Sequence, residues 1–206
     1  MINVIESLND LPADAKFPNG MAAVDTETLG LNLHRDRLCV CQIGDGEGNV
    51  WLVKFDGTDY SAPNLKAMLA DPRILKIFHY ARFDLASLYK YIGQMPTPAY
   101  CTKIASKLTR TYTEKHGLKS IVTELLGEDM DKTEQSSDWA AAKLSEAQKH
   151  YAASDVIYLH QLKAVLDEKL KDRNRMQLAQ NCFDFLPTRV ELDLAGWEET
   201  DIFAHR

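Results

Sequence analysis

Three things are scarce or missing in this chain of 206 residues: long apolar runs, paired cysteines and an excess of positive charge. No stretch of about 18 apolar residues occurs, so the sequence predicts no transmembrane helix. The first residues, beginning Met1-Ile2-Asn3, lack the basic and then apolar pattern of a secretory signal. Together these absences predict a cytoplasmic location.

The four cysteines do not have the spacing of a zinc site. Cys39, Cys41, Cys101 and Cys182 form no Cys-x-x-Cys pair. Cys39 and Cys41 fall in an apparent strand, which favours buried free thiols over zinc ligands.

The net charge of −6 disfavours a protein that coats long nucleic acid, because such binding requires cations that neutralise many phosphates. It leaves room for a small phosphate-bearing ligand held by metals and a few cations. The sequence shows no repeat, low-complexity tract or linker. We therefore expect a single domain, with a core over about residues 2–170 and a helical C-terminal extension over 171–206.

The most informative stretch runs from Met21 to Leu31. Met21 to Val24 are small or apolar and predict a buried strand, which ends on Asp25-Thr26-Glu27. Side chains alternate along a strand, so Asp25 and Glu27 share one face. Two carboxylates there repel each other and are costly to desolvate, which makes a hard cation such as Mg²⁺ or Mn²⁺ their natural partner. Taken alone, the same pattern is also that of a solvated strand end.

The remaining periodicity predicts an α/β fold with a mixed sheet. Strands are expected at 2–5, 21–24, 37–43, 50–53 and 74–78, with an antiparallel meander in the middle. A short helix over 61–69 leads into the last of these strands, which is the βαβ pattern of a mixed sheet. Further helices are expected at 79–93, 102–112, 117–126 and from Ser145 to Leu166, where Ser145 and Gln148 form a capping box.

Two further acids stand in apolar surroundings. Asp84 lies between Phe83 and Leu85 just after a buried strand, where an ordinary first-turn acid favoured by the helix dipole is an equally good interpretation. Tyr151 and Asp155 are four residues apart and share one face of the capped helix. A buried acid needs a partner, although a packed Tyr151 and a solvated Asp155 would also fit.

These three sites, in this order, resemble the motifs of the DEDD superfamily of 3′–5′ exonucleases, in its Tyr-bearing, ribonuclease D-like branch. The resemblance covers residues 2 to about 170 and rests on Val24-Asp25-Thr26-Glu27, on His79-Tyr80-Ala81-Arg82-Phe83-Asp84 and on Tyr151-Ala152-Ala153-Ser154-Asp155-Val156. The chain leaves no room for the extra helical domains of full ribonuclease D. Its short form looks closest to the nanoRNase C group, which acts on very short RNAs. The family usually has Asn after the His of the second motif, and this chain has Tyr80.

The resemblance implies a ribonuclease H-like fold and hydrolysis with two divalent cations, Mg²⁺ or Mn²⁺. Asp25, Glu27 and Asp155 would hold one cation, and Asp25 and Asp84 the other, while Tyr151 would orient or deprotonate the attacking water. The substrate would be short single-stranded RNA, or DNA, cut to 5′-nucleoside monophosphates. The resemblance also implies a homo-oligomer, an octameric ring, without a membrane partner.

Substrate contacts are less clearly signalled. Leu31 follows Asp25 by six residues, the spacing at which oligoribonuclease-like members place a wedge between the two 3′ bases; packing within the loop is the alternative. His79 could contact phosphate or be structural. The candidates for substrate binding are Thr26, Leu31, His79, Arg110, Tyr112, Lys132, Gln135 and Ser136, of which the last five would lie near the 5′ phosphate.

Two other functions remain open at this point. A degenerate member would bind nucleic acid without cutting it, although all four carboxylates and Tyr151 are present. A general exonuclease would trim longer RNA or DNA strands. The leading interpretation is an exoribonuclease acting on short oligonucleotides, dinucleotides above all.

Overall fold

The computed structural model describes residues 2–131, 133–134 and 136–205. A mixed sheet of six strands runs in the order β1-β4-β3-β2-β5-β6. The strands are β1 (Asn3–Leu8), β2 (Met21–Thr28), β3 (Leu38–Gly44), β4 (Asn49–Lys54), β5 (Leu75–Phe78) and β6 (Ala99–Cys101). β2, β3 and β4 form an antiparallel meander, whereas β1 pairs with β4, and β5 with both β2 and β6, in parallel. This confirms the expected mixed sheet.

Helices flank the sheet and form the C-terminal part of the chain. They are α1 (Pro63–Ala70), α2 (Ala81–Ile92), α3 (Thr102–Thr109), α4 (Leu118–Leu126), α5 (Glu146–Ile157), α6 (Leu159–Asp172) and α7 (Met176–Leu192), followed by a π turn over Asp193–Trp197. Ser145 accepts from the Gln148 backbone while the Gln148 side chain accepts from the Ser145 backbone, so the capping box is confirmed. None of the described helices has the length and apolar character needed to cross a bilayer.

Besides shifts at the ends of elements, one strand was missed and one predicted helix is divided in two. β6 was not expected, because it has three residues and lies between Pro98 and a helix, too short for a periodic signal. The helix predicted from Ser145 to Leu166 is interrupted at Tyr158, so that α5 ends at Ile157 and α6 begins at Leu159. Tyr158 stays in the right-handed helical region, at φ −89° and ψ −12°. The apolar spacing therefore continues across the break and conceals it.

The sheet brings the predicted site residues to one edge. β2 and β5 are parallel, so their carboxyl ends meet at that edge. After β5, Tyr80 takes a left-handed conformation at φ 65° and turns the chain into α2, whose first turn carries Asp84. α5 lies close against β3, where a Cβ added at Gly44 would sit 3.4 Å from Val156. This close packing carries Tyr151 and Asp155, on the same helix, towards the strand that bears Asp25.

Candidate active site

Four carboxylates converge at this edge although they come from three separate segments. One oxygen each from Asp25, Glu27 and Asp155 lies within 4.8 Å of the other two. Asp84 is buried, and its Oδ1 accepts a 2.6 Å hydrogen bond from the Thr26 hydroxyl. Gln42 on β3 donates to Asp25 at 3.3 Å. The arrangement concentrates negative charge where little water can screen it.

The carboxyl groups of this cluster hold their protons more tightly than isolated acids. Desolvation by the surrounding protein, followed by repulsion from Asp84, Asp155 and Glu27, raises the Asp25 pKa well above its usual range. Burial and the charges of Asp155 and Asp84 raise the pKa of Glu27 to about 9. Burial raises the pKa of Asp84 to about 7, even though the Thr26 hydroxyl opposes the shift. Without a cation, ionisation of these carboxyl groups therefore destabilises the folded protein.

The donor set suits a hard divalent cation. Carboxylate oxygens are the ligands that Mg²⁺ and Mn²⁺ prefer in proteins. Among the residues that the structure describes, no Lys or Arg forms an ion pair with Asp25, Glu27 or Asp84. Oxygens of Asp25, Glu27 and Asp155 lie close enough to share an ion. This geometry fits the metal that the sequence predicts.

Tyr151 is held beside the carboxylates as a neutral phenol. Its ring packs against Trp139, with centroids 5.9 Å apart. Burial and the nearby charges of Asp155, Glu27 and Asp25 raise the Tyr151 pKa far above its usual range, and its hydroxyl is hydrogen-bonded to Asp155. Such a group can donate a hydrogen bond and orient a water molecule, but it is poorly suited to remove a proton.

The carboxylates and Tyr151 line a cavity of about 630 Å³. Four of the predicted substrate-binding residues also line it: Thr26, Leu31, His79 and Ser136. Leu31 is 86% exposed, so its side chain does not pack within its own loop. The His79 Nδ1 lies 2.9 Å from the Thr102 hydroxyl, which fixes the ring at the cavity wall.

Two predicted phosphate contacts are instead engaged elsewhere. Arg110 is 1% exposed; it donates from Nε to Glu124 at 3.0 Å and from a terminal nitrogen to the Lys115 carbonyl at 2.6 Å. Tyr112 donates to the same Glu124. Neither side chain lines the cavity, because each is held against Glu124 on α4. The other two candidates, Lys132 and Gln135, lie outside the described residues.

The cation that does line the cavity was not among the predicted contacts. Lys103, the second residue of α3, reaches the cavity wall, and its Nζ lies 4.2 Å from the centre of the Tyr80 ring. This is cation–π geometry, with Tyr80 in the position where the family usually has Asn. Lys103 belongs to the Cys101–Ser106 segment, which the resemblance had singled out. The sequence did not show that its side chain reaches the cavity, because β6, which places α3, was not predicted.

The sequence and fold match known proteins over most of the chain. The family model of 3′–5′ exonucleases matches residues 2–171. The chain is 41% identical over 139 residues to DNA polymerase I of Aquifex aeolicus, and 32% identical over 154 residues to ribonuclease D of Gluconacetobacter diazotrophicus. These matches include 68% and 75% of this chain but span only 22% and 39% of the two relatives.

The solved structure of NrnC from Brucella melitensis bound to pGG is similar over the full length of both chains. It has 55% sequence identity and a TM-score of 0.96, and each chain is covered completely. A structure of the same protein with bound Mg²⁺ has 55% identity and a TM-score of 0.95, again with complete coverage of both chains.

Proposed function

The chain belongs to the 3′–5′ exonuclease family, and from that premise we propose that it hydrolyses very short RNAs, dinucleotides above all, to 5′-nucleoside monophosphates. The family resemblance read from the sequence is thereby confirmed. One observation carries the proposal: Asp25, Glu27, Asp84 and Asp155 line one cavity with Tyr151, although they come from three distant segments. A chain that only bound nucleic acid would not need four mutually repelling acids there.

Each carboxylate has a role in this proposal. Asp25, Glu27 and Asp155 would hold one Mg²⁺ or Mn²⁺, and Asp25 and Asp84 the second. When bound, such a pair supplies an activated water and stabilises the leaving oxygen of the phosphodiester. Thr26 orients Asp84 through its hydroxyl, and Gln42 orients Asp25. These contacts fix the carboxylates before any ligand enters.

Tyr151 positions the attacking water rather than deprotonating it. In the metal-free protein, burial and the charges of Asp155, Glu27 and Asp25 raise the Tyr151 pKa, which favours the protonated phenol. Packing against Trp139 fixes the ring, and the hydrogen bond to Asp155 directs the hydroxyl. No covalent intermediate is needed, since the nucleophile is water.

The cavity favours a short substrate. A volume of about 630 Å³ lies within the range of sites that enclose small ligands. Exposed Leu31 projects at its rim, where it can separate two bases, and Lys103 supplies a cation for a phosphate. The relative from Brucella melitensis was solved with pGG, a dinucleotide with a 5′ phosphate. We expect this chain to accept the same kind of ligand.

A general trimming enzyme is the second candidate. A neighbouring cavity of about 660 Å³ shares Leu31, Tyr80 and Phe83 with the active-site cavity and offers space for a longer strand. Its lining includes Glu198 and Glu199, which form no ion pair among the described residues. The same lining carries two guanidinium groups, Arg35 and Arg82, against three carboxylates, Asp193, Glu198 and Glu199. It therefore offers a phosphate backbone no net positive charge, and the dinucleotide remains the preferred substrate.

Competition between two labelled RNAs tests the proposal. A 5′-phosphorylated dinucleotide and a 7-mer, mixed at equal concentration with Mg²⁺, should be consumed with the dinucleotide first. Leu31→Ala should slow the dinucleotide more than the 7-mer, whereas Leu8→Ala, at an exposed position on the edge strand β1, should leave both unchanged. Faster loss of the 7-mer, or no effect of Leu31→Ala on the dinucleotide, would show that the enzyme is a general exonuclease.

We also propose a homo-oligomer, the octameric ring that the resemblance implies. Trp197, Ile202 and Phe203 are between 45% and 76% exposed, which leaves an apolar surface near the end of the described chain. Light scattering should give about 186 kDa, eight times 23.3 kDa. A mass of one chain at micromolar concentration would refute the ring.

The four free cysteines are consistent with the cytoplasm as the proposed location.

A further inference from the structure

A pair of arginines and one carboxylate join the C-terminal turn to the helix that carries Asp84. Asp193 is 1% exposed. Arg82, from the first turn of α2, donates to its two oxygens at 2.5 Å and 2.7 Å. Arg189, from the last turn of α7, donates twice to Oδ1, at 2.9 Å and 2.6 Å. We call these three residues the Arg–Asp–Arg clamp.

The clamp also holds the backbone beyond α7. Gly196 has a φ of 97°, which turns residues 197–200 back over the clamp. Arg82 donates to the Glu198 carbonyl at 2.6 Å, and Arg189 donates to the Trp197 carbonyl at 2.5 Å. Both guanidinium groups are thus shared between a buried carboxylate and the C-terminal turn.

The helix dipoles do not explain why Arg82 and Asp193 stand where they do. A cation at the N-terminus of α2 and a carboxylate at the C-terminus of α7 each oppose the dipole of their own helix. Their mutual contact spans 111 positions of sequence, and Arg189 adds a second, local contact to Asp193. The arrangement therefore fixes two helix ends relative to each other at the expense of favourable local charge.

The end of α2 needs such a restraint. Its N-cap, Tyr80, has a left-handed backbone and makes no capping hydrogen bond with its side chain. The acid of its first turn, Asp84, faces the carboxylate cluster, which repels it. The Thr26 hydroxyl holds the Asp84 carboxylate itself, and the contact of Arg82 with Asp193 adds a restraint on the turn that carries it.

We propose that Asp193 is a positioning residue for the metal site: through Arg82 it holds the first turn of α2 so that Asp84 stays within reach of the other carboxylates. This inference rests on the proposed exonuclease function. Asp193 does not line the active-site cavity. Its effect reaches the site only through Arg82 and the helix.

The test compares two buried carboxylates at different places in the fold. Asp193→Asn removes the charge of the clamp with little change of shape. Asp45→Asn is the control, because Asp45 is 2% exposed, accepts three hydrogen bonds, and follows β3 beyond Gly44, at the end of the sheet away from Asp25. Both variants should lose stability, since each deprives buried donors of a charged acceptor.

Mg²⁺ affinity separates positioning from a merely structural role. We expect Asp193→Asn to weaken Mg²⁺ binding about 10-fold or more in calorimetry, and to lower kcat more than it raises KM. Asp45→Asn should leave Mg²⁺ binding within about twofold. Arg82→Lys, which keeps the charge but loses the two-pronged contact, should fall between wild type and Asp193→Asn.

The outcomes are distinguishable. If Asp193→Asn and Asp45→Asn bind Mg²⁺ alike, the inference is overturned while the proposed function stands. If wild type neither binds Mg²⁺ nor cleaves RNA, the proposed function itself fails. Should Asp193→Asn not fold, Arg82→Lys decides: unchanged Mg²⁺ affinity in that variant also overturns the inference.

Discussion

Removing one acid from the carboxylate cluster should make the metal-free protein more stable. Glu27→Gln keeps the size of the side chain and removes its charge. The Glu27 pKa is about 9 in the folded protein against an ordinary 4.5, because burial and the charges of Asp155 and Asp84 disfavour ionisation. The unfolded chain therefore releases a proton that the folded chain retains, and the stability of the wild type falls as pH rises from about 4.5 to about 9.

The size of this effect follows from the same values. One pKa unit corresponds to about 1.36 kcal/mol, and pH 7 lies about 2.5 units above the ordinary Glu27 value, so the ceiling is about 3.4 kcal/mol. At pH 5 the same arithmetic gives only about 0.7 kcal/mol. Allowing for rearrangement of the remaining acids, we expect Glu27→Gln to gain about 1–3 kcal/mol at pH 7, or roughly 2–4 °C per kcal/mol for a chain of this size.

Thermal and urea melts in EDTA at pH 5, 7 and 8 measure the gain. Glu124→Gln is the matched control with the opposite sign, because hydrogen bonds from Arg110 and Tyr112 lower the Glu124 pKa to about 2 and the substitution removes a favourable charge. Saturating Mg²⁺ should restore the advantage of the wild type. A Glu27→Gln protein that is less stable than wild type in EDTA, or a difference that does not grow between pH 5 and pH 8, would refute mutual repulsion in the cluster.

Three other outcomes are expected. Asp25→Asn or Asp155→Asn should abolish cleavage and leave the circular dichroism spectrum unchanged, and excess EDTA should do the same to the wild type; full activity in any of these would exclude the metal mechanism. Tyr151→Phe should lower kcat by roughly 10- to 1000-fold with little change in KM, because only the hydroxyl that orients water is lost; unchanged turnover would leave Tyr151 as a packing residue. Dinucleotide affinity should fall with salt at a log–log slope of only about −1 to −2, because few phosphates are held; a slope of −4 or steeper in filter binding would indicate a long-strand grip.

The sequence alone predicted those elements and site residues whose signals come from neighbouring residues. The buried strand ending in Asp25 and Glu27, the capping box at Ser145 and the acid after β5 all depend on neighbouring residues, and the structure places them as expected. The position of Lys103 could not be predicted because it depends on β6, a strand of three residues.

Long-range contacts set the other limit. Arginine is a residue type that commonly binds phosphate, yet the buried Arg110 side chain forms an ion pair with Glu124 on α4, which is 42% exposed. Asp193 lies in no motif, and Arg82 has no assigned role within the motif that contains it. Each also looks unfavourable in its own helix. Such pairs are visible only once tertiary packing brings distant segments together, which no periodicity encodes.

The Arg–Asp–Arg clamp can form only late in translation. Arg82 and Asp84 are translated well before Asp193, with 111 positions between Arg82 and Asp193. At about 5–20 residues per second, a ribosome needs about 6 to 22 s to cover that interval. During those seconds a growing chain carries Asp25, Glu27 and Asp84 but lacks the carboxylate that binds Arg82 in the first turn of α2. A nuclease assembled in this order acquires its fixed metal site late in synthesis, when nearly all of residues 1–193 have been made.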